Sequence, residues 1–293
     1  MTTIMIITTI MMAQMARPLV KASWGSQRLC GCDSGAALDC CFVGYPRMTV
    51  GTPITLANLT LGYDRHPAVH HISGTFSAGS LTALVGPNGA GKSILIKALA
   101  GVLTSIDGQC VIDPSLRRAY LPQLTEIDRS FPTSVYDFVA MGLWSKSGSL
   151  HALPAFGAHR IADALTLVAP KDFDHQLIGA LSGGQFQRAL FARFMLKDAP
   201  IILIDEPFSA IDSATVDDLM QLVMRWHHEG RTIITVLHDL ALVKTYFPKT
   251  LLLARDVIGW DDTHSVLTED NLKLARQKIE APDPHAPLCE HDA

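Results

Sequence analysis

From Ile54 onward apolar residues alternate with polar ones, at Ile54 and Leu56 and again at Leu59 and Leu61, which is the period-two pattern of a half-buried strand ending near Gly62-Tyr63. A second strand-like run covers residues 71–76 and leads into a turn at Ala78-Gly79. Three short runs, residues 81–85, 201–204 and 232–237, are apolar throughout, as strands covered on both faces of a parallel sheet are. Helical segments lie between them, so the alternation predicts an α/β fold with a mostly parallel core sheet. Residues 124–180 are less regular. Helix-like stretches at 135–144 and 159–168 flank a loop rich in Ser, Gly and Pro, which predicts an inserted helical subdomain reaching to about residue 190.

Composition narrows the class. The chain has 293 residues, 48% of them hydrophobic and 18% charged, enough to bury one large core or two modest ones. Twenty-four basic and 28 acidic residues leave a formal charge of -4, so the electrostatic footprint of a nucleic-acid binder is missing and no nucleic-acid partner is expected. A mean hydropathy of +0.23 raises the question of membrane spans. The longest apolar stretch, residues 4–15, is interrupted by Thr8, Thr9 and Gln14 and has no basic residue before Arg17, so it fits neither a span nor a signal peptide. The expected location is the cytoplasm.

Cys30, Cys32, Cys40 and Cys41 fall within twelve residues, whereas Cys110 and Cys289 stand alone. Two readings are open: a metal or redox knot, against which the C-x-C and Cys-Cys spacing lacks the usual paired C-x2-C, or an unstructured or artefactual extension over residues 1–47. The main domain is expected over residues 48–276, with a flexible tail at 277–293.

Directly after the apolar run 81–85 stands Gly86-Pro87-Asn88-Gly89-Ala90-Gly91-Lys92-Ser93, a complete G-x4-G-K-[ST] pattern, followed by a helix-like segment at 94–102. Glycines let successive backbone N–H groups turn toward phosphate oxygens, and the helix N-terminus favours their negative charge. Lys92 is expected on the β- and γ-phosphates and the Ser93 hydroxyl on Mg²⁺. The run 201–204 delivers Asp205-Glu206-Pro207 at its carboxyl end. Asp205 is expected to hold Mg²⁺ through water, and Glu206 to polarise the water that attacks the γ-phosphorus.

Between these elements lies Leu181-Ser182-Gly183-Gly184-Gln185, followed by Phe186-Gln187-Arg188, and here the chain resembles the ATP-binding subunits of ABC transporters over about residues 50–275. The resemblance implies a P-loop ABC-type ATPase with an antiparallel β subdomain and an inserted helical subdomain, hydrolysing ATP with Mg²⁺. It also implies a homodimer in which Ser182, Gly183, Gly184 and Gln185 of one copy close on the nucleotide held by the other. Tyr63 is similar to the aromatic that stacks on adenine, Gln123 to the glutamine that senses Mg²⁺ and the attacking water, Asp212 to the aspartate that communicates across the dimer, and His238 to the histidine that contacts the γ-phosphate. One position departs from the family: Ile94 stands where Ser or Thr commonly places a hydroxyl near the α-phosphate. Only its backbone N–H can donate there, a loss of about 0.5–1.5 kcal/mol.

About 57 residues separate Gln123 from the signature, too few for a long coiled-coil insertion. The resemblance therefore points to a separate subunit, peripheral at the cytoplasmic face of the inner membrane. There it would dock under a multi-span permease that an extracytoplasmic metal-binding protein supplies. Residues 135–144, 190–193, 205–212, 238–240 and 266–276 resemble bacterial importers of zinc and manganese, with zinc the first expectation and manganese, iron chelate or haem the alternatives. A soluble, non-transport ABC regulator is the reading from another class. His285, Cys289 and His291 invite a zinc-sensing tail, against the plainer reading of a solvated terminus.

Overall fold

The computed structural model describes residues 52–63, 66–144, 157–168, 173–209 and 211–280. The cysteine cluster before residue 47 and the His/Cys tail after 280 lie outside the described residues.

Two sheets organise the domain. In the first, β1 (Ile54–Tyr63) pairs antiparallel with β2 (His66–Phe76) and with β4 (Asp107–Val111), in the order β2-β1-β4. In the second, β5 (Arg118–Leu121), β6 (Ile201–Asp205), β7 (Thr232–Val236), β3 (Leu81–Val85), β8 (Lys249–Ala254) and β9 (Asp256–Asp262) stand in that order. All neighbours in it are parallel except the β8–β9 hairpin. Every residue of β3, β6 and β7 is buried, which is why these strands read as mostly apolar runs; Thr82, Thr232 and Thr235 are buried within them, and Asp205 ends β6.

One face of the parallel sheet packs against α1 (Lys92–Ala100) and the antiparallel sheet, joining Leu84, Leu203 and Val236 to Ile54, Leu61, Ile72, Leu95 and Leu99. The other face joins Val85, Ile204 and Ile233 to α4 (Gly183–Lys197) and α5 (Ser213–His228), and through them to α2 (Val135–Ala140) and α3 (Gly157–Val168). The chain closes with α6 (Leu240–Tyr246), α7 (Thr263–Val266) and α8 (Glu269–Glu280). No helix among the described residues is long and apolar enough to cross a membrane.

Three expected boundaries move. The second strand starts at His66, five residues before the run at 71–76, because its polar residues pair along β1 through register shifts that break strict alternation. Helix α1 starts at Lys92, since Gly91 with φ 90° serves as its N-cap. The helix expected over 135–144 stays α only to Ala140 and tightens into a 3-10 turn at Met141–Leu143. That turn presses Gly142 onto the α4 backbone, where a Cβ would meet the Arg193 carbonyl oxygen at 2.3 Å and the Leu196 Cβ at 2.9 Å. A backbone carbonyl inside a helix cannot give way cheaply. Gly142→Ala is therefore expected to destabilise the protein by about 1–3 kcal/mol, seen as a lower urea midpoint with native secondary structure retained.

Candidate functional site

Register determines what meets at the carboxyl edge of the parallel sheet. Leu84 of β3 lies opposite Val236 of β7, and Val236 lies opposite Asp205 of β6, so the residues that follow all emerge side by side. After β3 comes the glycine-rich loop, after β6 Glu206, after β7 Leu237-His238, and after β5 Pro122-Gln123. An open pocket of about 230 Å³ at this edge is lined by Asn88, Gly89, Ala90, Gly91, Lys92, Ser93, Ile94 and Glu206.

The loop before α1 needs glycine for backbone reasons. At Gly86 a Cβ would sit 2.0 Å from the Leu253 carbonyl oxygen, and at Gly91 a left-handed φ of 90° combines with a 2.0 Å approach to Val69 Cγ2. The Lys92 ammonium lies inside the curl and donates to the carbonyl oxygens of Gly86 and Pro87, each at 2.9 Å. Burial lowers its pKa, and the carboxylates of Glu206 and Asp205 pull the other way. A positive charge held by two neutral carbonyls is poised for exchange onto phosphate oxygens.

Beside it, Ser93 Oγ donates to Asp205 Oδ1 at 3.3 Å, and Gln123 Nε2 donates to Ser93 Oγ at 3.4 Å. Asp205 is fully buried and its Oδ2 has no protein partner. Burial pushes its pKa up to about 6, against the Ser93 hydrogen bond and with the help of nearby Glu206. A buried carboxylate with one unsatisfied oxygen, a hydroxyl and an amide oxygen is a hard, all-oxygen donor set that suits Mg²⁺.

Glu206, one residue on, sits at φ 47°, in the left-handed region that a side chain with a Cβ rarely adopts. That kink turns its carboxylate along the sheet edge: Oε1 is 2.6 Å from His238 Nε2, and Oε2 accepts from Ser209 Oγ at 3.5 Å. Glu206 and His238, distant in sequence, thus form one hydrogen-bonded pair.

The signature builds a helix start. Ser182 is the N-cap of α4, its Oγ accepting from Gln185 N at 3.3 Å while its own N–H donates to Gln185 Oε1 at 2.9 Å. Gln185 is therefore occupied as a capping residue, and the N–H groups at the turn are presented by Gly183 and Gly184. Asp212 caps α5, accepting from Thr215 N and Thr215 Oγ1, both at 2.9 Å. It also lies against the signature, since a Cβ on Gly184 would be 3.5 Å from Asp212 Oδ2. Arg188 ties the two helices, donating to Thr215 Oγ1 at 3.2 Å and Asp218 Oδ2 at 2.8 Å.

Two groups emerge within one chain. Asn88 through Ile94, Asp205, Glu206, Gln123 and His238 gather at the sheet edge, and Ser182 through Gln185 gather with Asp212 at the start of α4. No signature residue lines the edge pocket. Tyr63 ends β1 half exposed, at 51%, which leaves its ring open to a stacking partner. Sequence reasoning passed over Lys97, whose Nζ meets Glu126 Oε1 at 2.6 Å and so ties α1 to the 3-10 turn Leu124–Glu126 that follows Gln123. It also passed over Arg129. Neither belongs to a motif, and only the fold brings their partners near.

A phosphate loop on a parallel sheet, with a buried metal-compatible carboxylate and a glutamate at the next strand end, defines a P-loop ATPase. A model of the ABC transporter family matches residues 69–209. The manganese transport system ATP-binding protein MntB of Bacillus subtilis is 37% identical over 227 residues, 75% of this chain and 91% of that protein. MntA of Synechocystis sp., a protein of the same description, is 35% identical over 76% of this chain and 87% of its own. The zinc transport system ATP-binding protein TroB of Treponema pallidum is 34% identical over 76% and 86%. Among solved structures, an inward-facing metal-chelate type ABC transporter superposes with a TM-score of 0.69 at 26% identity, over 76% of this chain and 88% of that one. The dimeric cassette MJ0796 shares the fold at a TM-score of 0.63, 22% identity, and 72% and 98% coverage. The chain belongs to the ABC transporter family, as an ATP-binding subunit that hydrolyses ATP.

The buried carboxylate carries a test of its own. Its pKa is about 6 in the fold against an ordinary 3.8, so ionisation opposes folding progressively as pH rises between those values, and the cost is complete above about 6. Without nucleotide or divalent cation, Asp205→Asn is expected to raise the melting temperature near neutral pH. The difference should shrink as pH falls through the interval and vanish toward pH 3, below both values, where folded and unfolded chains alike carry the protonated acid; thermal denaturation at neutral pH and near pH 3 checks it.

Proposed function

We propose that two copies of this chain bind two ATP molecules between them and power a permease that imports a divalent metal, with manganese ahead of zinc. The observation that carries the two-copy reading is the separation of one chain's motifs: its edge pocket is lined by the phosphate loop and Glu206, while its signature begins a different helix, with Ser182 as the N-cap. A second copy placed head to tail would bring each signature onto the other's γ-phosphate. The subunit would then sit peripherally on the cytoplasmic face of the membrane under a multi-span permease.

Mg²⁺ would be held by Ser93 Oγ, by Asp205 through water and by the Gln123 side-chain oxygen, and when bound it would neutralise charge on the β- and γ-phosphates. Lys92 leaves the carbonyls of Gly86 and Pro87 for the phosphates. The backbone N–H groups of Asn88 to Ile94 wrap the same oxygens, with Ile94 contributing only its main chain at the α-phosphate. His238 turns from Glu206 to the γ-phosphate, which frees the Glu206 carboxylate to orient water. As that water oxygen bonds to the γ-phosphorus, the bond to the bridging oxygen breaks and its electron pair leaves with ADP. The proton of the attacking water is drawn toward Glu206. Asp212, seated against Gly184, would sense closure from its position beside the signature.

Glu206→Gln keeps the side chain's shape and removes its basicity. Steady-state hydrolysis by the purified chain is expected to fall about 100-fold or more while ATP affinity is retained, with a longer-lived dimer on gel filtration in ATP. Unchanged turnover would remove Glu206 from this role.

For the cargo, the zinc expectation gives way to manganese on the names of related proteins: MntB and MntA are described for manganese, TroB for zinc. Among the described residues no cluster of three or more His, Cys, Asp or Glu could hold a metal ion, so selection would rest with the permease and its binding protein. A deletion strain starved of metals is expected to recover growth with manganese at lower concentration than with zinc or iron. Recovery with zinc alone would restore the zinc reading, and recovery with none would point to a soluble regulator.

A further inference from the structure

Arg129 lies six residues after Gln123, on the segment that leaves the nucleotide edge and enters the helical subdomain. Its Nη2 donates to the carbonyl oxygens of Leu181 and of Ile178, the latter at 3.4 Å. Ile178 opens the 3-10 turn Ile178–Ala180, and Leu181 is the residue before the signature serine. The guanidinium also lies over the Phe186 ring, 4.5 Å from its centroid, and Phe186 is a fully buried residue on the first turns of α4. The Phe186 and Phe138 ring centroids are 5.6 Å apart, and the Arg193 guanidinium lies over Phe138 at 4.8 Å. Each ring of this tilted aromatic pair thus carries a guanidinium, which restrains the Arg129 fork where it lies. The main chain is close as well: a Cβ on Gly179 would be 3.1 Å from the Arg129 carbonyl oxygen.

The consequence falls on one peptide unit. The Leu181–Ser182 peptide has its C=O held by Arg129 and its N–H held by the Gln185 side chain. Clamped from both sides, it cannot rotate, and its orientation sets where the Ser182 hydroxyl and the N–H groups of Gly183 and Gly184 point. We infer that Arg129 is a positioning residue for the signature, holding the Leu181–Ser182 peptide so that Ser182 is pre-aimed at a γ-phosphate bound by a second copy of the chain. This rests on the two-copy reading above. An arginine suits the task because one rigid fork can both bridge two carbonyls and stack on a ring, which a lysine ammonium cannot do together.

Because the signature acts on the other copy's nucleotide, the role can be read in trans. Arg129→Met keeps the stem and loses the fork. The purified variant is expected to bind ATP with unchanged affinity and to lose kcat roughly tenfold or more, the scale of a misaimed catalytic donor. Mixed with a Lys92→Ala copy, it should regain turnover well above either variant alone. In that pair the Arg129→Met chain supplies an intact phosphate loop and the Lys92→Ala chain an intact signature. The control mixture joins Lys92→Ala with Ser182→Ala and should regain turnover for the same reason. If the control recovers and the Arg129→Met mixture does not, Arg129 serves its own chain's nucleotide or merely the fold, and the positioning role is overturned while the two-copy reading stands. If neither mixture recovers, the two-copy reading fails and takes this role with it. Should Arg129→Met not yield folded protein, Arg129→Lys enters the same mixtures with the same outcomes, starting from a smaller loss of kcat.

Discussion

The site depends on the alignment of Leu84, Val236 and Asp205 across three parallel strands. A parallel sheet sends every strand's carboxyl end to the same edge, and this register makes those ends level to within a residue. The phosphate loop, the acidic pair and His238 therefore meet without any long-range folding of loops. The cost is carried by Asp205, an acid with no exposed surface and one unsatisfied oxygen. In an apolar sheet such a group is unfavourable to the fold alone, and it makes sense where a cation completes it. Burying the acid keeps it dry, and Ser93 and Gln123 keep it aimed.

Two charged groups of the edge, Lys92 and Glu206, have partners within the chain. Lys92 rests on two carbonyls of its own loop, and the Glu206 carboxylate rests on His238. These partners are what ATP would replace: phosphate oxygens for the carbonyls, and a γ-phosphate for the glutamate as the histidine's neighbour. The left-handed φ of Glu206 keeps the second of these contacts, since a relaxed backbone would carry its carboxylate away from His238.

How much of this the sequence could show follows from how local each signal is. The phosphate loop, the acidic pair at the end of β6 and the helix start at Ser182 are each written in a few consecutive residues, so each can be located from the sequence by itself. The buried strands β3, β6 and β7 were legible because burial on both faces leaves them mostly aliphatic, with Thr82, Thr232 and Thr235 as small uncharged exceptions and one acid, Asp205, at the end of β6. Strands β4 and β9 were not, because Asp107–Val111 and Asp256–Asp262 lie at sheet margins and carry mixed residues with neither a continuous run nor clean alternation. The left-handed turn at Glu206 has no glycine to announce it. The zinc expectation rested on stretches of sequence pattern outside the phosphate loop, and the names of related proteins favour manganese over it.

The most consequential contacts outside the motifs lie on the stretch from Gln123 to Arg129. At one end Gln123 touches the Ser93 hydroxyl, and Glu126 is pinned to Lys97 on the helix that follows the phosphate loop. At the other, Arg129 grips the carbonyls before the signature serine and stacks on its helix. The stretch is seven residues long and is anchored by an ion pair, a cation–π contact and a 3-10 turn. A connection that short and that heavily pinned cannot absorb a shift at Ser93 by slack. Movement at the nucleotide edge must either break one of these anchors or carry the start of α4 with it. In a dimer built head to tail, the start of α4 belongs to the neighbouring site. A single stretch of chain would then join the filling of one ATP pocket to the aim of the donors that complete the other.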